Sequence, residues 1–120
     1  MLVLPRFGEM DRDHELFVLA RVSGARPHQA WFPDTVLAYE TLSETNWNAP
    51  YLSPAFLPNV YCDISDTIDR KLDAFALFES QARQPPHERS VESLRALATL
   101  RGATVHAHAA EGFVLIRHVA

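Results

Sequence analysis

The sequence holds one cysteine, Cys62, which excludes an internal disulfide framework; a lone thiol fits a reducing compartment, and a cytoplasmic location is expected. It has only 4 glycines and no glycine-rich run, which excludes a phosphate-cradling loop. It has no excess of basic charge. The 11 Lys and Arg are scattered against 15 Asp and Glu for a net charge of -4, so neither nucleic acid nor an anionic membrane surface is an expected partner. No apolar run approaches the roughly 18 residues of a membrane span, and the opening "MLVLPRF" is interrupted too soon by Pro5 and Arg6 to read as a signal peptide. What is present is a chain of 120 residues, 48% of them hydrophobic, which is enough to build one compact domain with a core. A single domain over residues 1–120 is the expectation.

Periodicity supplies an order of elements. "MLVLP" has the length of a buried strand, closed by Gly8. From Asp11 onward Leu16, Phe17, Leu19, Ala20 and Val22 form a broad apolar helical face, which predicts a helix over about residues 12–24. Gly24, able to adopt a left-handed terminal conformation, and Pro27 end it. "TVLAYETL" and "NVYCDIS" are rich in β-branched and aromatic residues and read as strands. Between them "SETNWNAPYLSPAFLP" reads as a loop, long enough to be a candidate for function.

Ser65 stands where a helix N-cap is expected, ahead of Ile68, Leu72, Phe75 and Ala76 at helical spacing. Ser90 caps a further helix, in which Leu94, Leu97 and Ala98 share a face until Gly102 stops it. Phe75 and Leu97 are the expected core anchors of these two helices. "EGFVLIRHVA" has strand character. The resulting succession of strands and helices predicts a layered α/β fold without internal repeats.

The densest polar stretch is "GEMDRDHELF", residues 8 to 17, with four carboxylates, an arginine and a histidine. One reading is a solvated, acid-rich helix start facing the positive end of the helix dipole. The other is that His14, beside Asp13, is a metal ligand, since a ligating imidazole commonly has a carboxylate that fixes its orientation. Hydrolytic zinc usually takes three protein ligands, and one histidine does not make that set. His28, His87, His106, His108 and His118 have no ligand-like spacing to His14. His106 and His108 share a face only if that segment is extended. Cys62, in apolar company, reads as a buried inert thiol, and the carboxylates of "DISDTIDRKLD" read as the solvated face of a helix.

Four segments in order, "YETLSETNW", "FLPNVYCDISDTIDRKLDAFALFESQ", "PPHERSVESLRALATLRG" and "AEGF", resemble the C-terminal half of the LmbE-like, or PIG-L, zinc-dependent N-deacetylases. The resemblance runs from about residue 3 to residue 117. It implies a partial Rossmann-like layered sheet with flanking helices, and zinc-assisted hydrolysis of N-acetyl groups on amino-sugar or glycoconjugate substrates. In that family a "DH" at a helix start supplies the last zinc ligand and the helix commonly ends in "RP". Asp13 with His14 and Arg26 with Pro27 match those positions.

The resemblance thus makes His14 the metal ligand, Asp13 the carboxylate that orients it, and Trp47 and Tyr51, in the loop from Ser43 to Pro58, part of the substrate wall. Asp11 stands where the family often has a histidine that stabilises the oxyanion. The family's "HPDDE"-type motif, which carries two further zinc ligands and the general base, does not occur in these 120 residues. Zinc is therefore expected only in a complete domain, and a truncated gene, a split gene or a shortened chain would account for the pattern. An N-terminal half acting in trans and a further copy of the chain in a homo-oligomer are the expected protein partners. The alternative from another class is a non-catalytic carbohydrate-binding or assembly module that kept the scaffold.

Overall fold

The computed structural model describes residues 1–5, 12–28, 30–47, 51 and 55–120, with the backbone alone for 12–15 and 17. Among these the chain forms β1 (Leu2–Pro5), α1 (Arg12–Gly24), β2 (Thr35–Tyr39), β3 (Val60–Asp63), α2 (Ile68–Ala76), α3 (Val91–Thr104) and β4 (Ala110–His118). A short 3-10 turn, Thr45–Trp47, lies between β2 and β3. The fold is mixed α/β, with a four-stranded open sheet in the order β1-β2-β4-β3. β1 and β2 are parallel, joined through α1, and β4 runs antiparallel to β2. No helix among the described residues is long and apolar enough to cross a membrane. By its internal contacts the chain divides into two compact units, residues 1–60 with 113–120, and residues 61–112.

The first unit is built on α1 and the β1–β2 pair. Successive helical residues turn by about 100°, so Val18 and Val22 fall on one side of α1 and Leu16, Leu19 and Ala20 on the other. Val18 and Val22 pack with Leu2, Leu4 and Val36, and Val18 is wholly buried. Leu16 and Leu19 are 64% and 49% exposed, so the broad face expected from sequence resolves into two rows; Val22 packs in this core, and the side chain of Phe17, also named for that face, lies outside the described residues. Gly24 is the last residue of α1 and does not take a left-handed conformation; the helix ends with Ala25 N–H donating to the Arg21 carbonyl at 2.9 Å.

A register shift between β2 and β4 decides where one cation goes. Leu37 pairs with Leu115 but Val36 pairs with Arg117, which leaves Ile116 as an extra residue. Since side chains alternate across a strand, the extra residue puts Arg117 on the same side of the sheet as Val36, where α1 packs. Its guanidinium donates to the carbonyls of Ala25 and Pro33 and lies 5.8 Å from the centre of the Phe32 ring. One side chain thereby ties both ends of the connection between α1 and β2.

The second unit packs α2 against α3. Its core is Ile68, Leu72, Ala98 and Ala109, with Ile64 and Leu94 around them. Phe75 and Leu97, the anchors expected from spacing, are only half-buried, and Ala76 is exposed. What α2 contributes to this core is Ile68 and Leu72, and what α3 contributes is Ala98 with Leu94. Ser90 caps α3 as its position predicts, accepting from the Ser93 amide at 3.1 Å. Ser65 does not cap α2, which starts later, with Thr67 in that place and without a side-chain cap.

Gly102 does not stop α3 either. The helix continues to Thr104, and the left-handed residue is His106, at φ 61°. Ala107 N–H donates to the Gly102 carbonyl at 3.0 Å, the six-to-one closure of a Schellman motif. A β-carbon in the left-handed region costs roughly 1–2 kcal/mol relative to right-handed backbone, a cost that glycine escapes. His106→Gly should therefore stabilise the protein by about 1 kcal/mol, read as a higher denaturant midpoint at unchanged slope. A lower midpoint would mean that the imidazole makes a contact worth more than the relief of strain.

Candidate functional site

The residues singled out by sequence fall on α1 and on the loop after β2. α1 begins at Arg12, so Asp13 and His14 occupy its first turn, where carboxylates are favoured by the helix dipole. The side chains of Asp13 and His14, and Asp11 altogether, lie outside the described residues. Arg26 and Pro27 follow directly on the turn at Ala25 that terminates the helix. The proline ring fits there because no further helical amide is required of it.

The loop after β2 is locally well specified. Thr41 N–H donates to the Thr45 hydroxyl at 2.8 Å, Ser43 N–H to Asn46 Oδ1 at 2.8 Å, and Thr45 N–H back to the Thr41 carbonyl at 2.8 Å. Ser43 sits at φ 70° in this turn. Trp47 and Tyr51 are 63% and 85% exposed, so neither ring serves as core packing.

Among the described residues no group of three His, Cys, Asp or Glu side chains stands close enough to hold a metal ion. His106 occupies the left-handed position after α3 and His108 a bend before β4, so the extended run that would align them is absent. His14 by itself does not meet the three-ligand requirement of hydrolytic zinc, and no catalytic step through a metal follows from the residues described. Cys62, expected to be buried, is exposed. β3 is an edge strand of the sheet, and Cys62 and Asp63 are the exposed half of it.

A polar cluster that composition did not suggest lies at the end of β3. Ser65 donates to Asp63 Oδ1 twice, from its amide at 2.9 Å and its hydroxyl at 2.6 Å, and the Ser65 oxygen accepts from Ala109 N–H at 3.3 Å. The signal was the spacing Asp-x-Ser, which allows a carboxylate to bond its own backbone two residues on. The Ser65 hydroxyl and then the Ser65 amide hold the Asp63 carboxyl below the ordinary aspartate range, with a smaller contribution from the His108 charge. A depressed carboxyl pKa stabilises the fold above the unfolded-state value, and that contribution disappears as pH falls through the folded-state value. Ser65→Ala should move the Asp63 titration, followed by carboxyl carbon NMR, upward toward the ordinary aspartate range. An unmoved midpoint would remove the hydroxyl as the cause.

No protein-family model matches the chain, and no curated protein matches it.

Proposed function

We propose that this chain is the C-terminal part of an LmbE-like zinc-dependent N-deacetylase acting on amino-sugar derivatives, in which His14 is one metal ligand and Asp13 orients it. The observation that carries the reading is the placement of two short motifs on one helix: "DH" in the first turn of α1, and "RP" immediately beyond its last turn. The parallel β1–α1–β2 arrangement supports a Rossmann-like origin for the sheet. Asp11 occupies the oxyanion-histidine position, and Trp47 with Tyr51 forms part of the substrate wall. The remaining zinc ligands and the general base come from a polypeptide segment carrying the motif these 120 residues do not contain. The protein works in the cytoplasm, where the exposed Cys62 thiol stays reduced.

The test is metal content. The 120-residue chain alone, dialysed against a weak chelator, should retain little zinc and release no acetate from N-acetylglucosamine derivatives. Joined to a segment bearing the "HPDDE"-type motif, fused or in trans, it should bind zinc stoichiometrically and deacetylate, and His14→Ala should abolish both. Tight stoichiometric zinc on the chain alone, or zinc binding in the joined protein that survives His14→Ala, would overturn the assignment.

A second reading, a carbohydrate-binding module without catalysis, is favoured by the exposure of Trp47, which directly follows the hydrogen-bonded turn at 41–46, and of Tyr51. It is distinguished by sugar binding to the chain alone in the presence of chelator, followed by tryptophan fluorescence and lost in Trp47→Ala.

A further inference from the structure

We draw no further inference here: the strongest candidate, the exposed apolar row of Leu16, Leu19 and Ala20 on the outer side of α1, is an unpartnered helix face, and nothing among the described residues shows what covers it.

Discussion

Leu72→Ala should lower the unfolding free energy by roughly 2–5 kcal/mol, the range for truncating a buried leucine to alanine. Leu72 is 2% exposed and lies among Ile68, Ala98 and Ala109, with Ile64 and Leu94 closing the cluster. Two of these neighbours are alanines, whose short side chains have no reach with which to refill the space. The vacated volume therefore remains as a cavity and adds to the lost transfer energy. Urea denaturation followed by circular dichroism should show a lower midpoint with an unchanged slope. Phe75→Ala, one turn further along α2, removes a larger side chain from a half-buried position and should cost less. If Phe75→Ala proved the more damaging of the two, the placement of the core on Leu72 would be wrong.

Gly102→Ala should also destabilise, by about 1–3 kcal/mol, although alanine is by itself the better helix former. A β-carbon at this position would lie 2.6 Å from the Ala107 carbonyl oxygen and 2.9 Å from both the α-carbon and the nitrogen of Ala109. All three are backbone atoms of the segment that leads into β4, so no side chain can rotate away and the connection itself must shift. The movement would disturb the Ala107 to Gly102 hydrogen bond and the seat of Ala109 in the core.

Gly24 is the control. It is the last residue of α1, and nothing among the described residues outside its own helix and chain neighbours lies within 4 Å of its added β-carbon. Gly24→Ala should then raise stability by roughly 0.4–1 kcal/mol through helix propensity and a less flexible unfolded chain. Thermal or urea melts of the pair should move in opposite directions. Two glycine substitutions of the same sign would show that close approach at Gly102 is not what requires its missing side chain.

The candidate site was legible in a different way from the fold. No spacing among histidines pointed to a metal centre, and the chemistry assigned to His14 and Asp13 comes from the resemblance of four ordered segments. A ligand set is assembled from residues distant in sequence, and a single imidazole carries no record of the others. The Asp63–Ser65 network, by contrast, is local to three residues and could have been read from the Asp-x-Ser spacing.

Local rules account for what the sequence determined by itself. These are the strand at residues 2–5, the helix from 12 to 24, the strand cores at 35–39 and 60–63, the Ser90 cap and the closing strand. Each depends on the period of apolar residues or on one side chain reaching an amide a few positions away. Tertiary structure decided which surface those elements cover. It chose Val18 and Val22 over Leu16 and Leu19 on α1, and Leu72 over Phe75 on α2. It placed β3 at the sheet edge and left Cys62 exposed, and it turned Arg117 toward Ala25 by inserting Ile116 as an extra strand residue. The reason is that periodicity gives a residue's angle about its own helix or strand axis. What lies at that angle is set by segments as far as 92 positions away in the chain, as Arg117 is from Ala25.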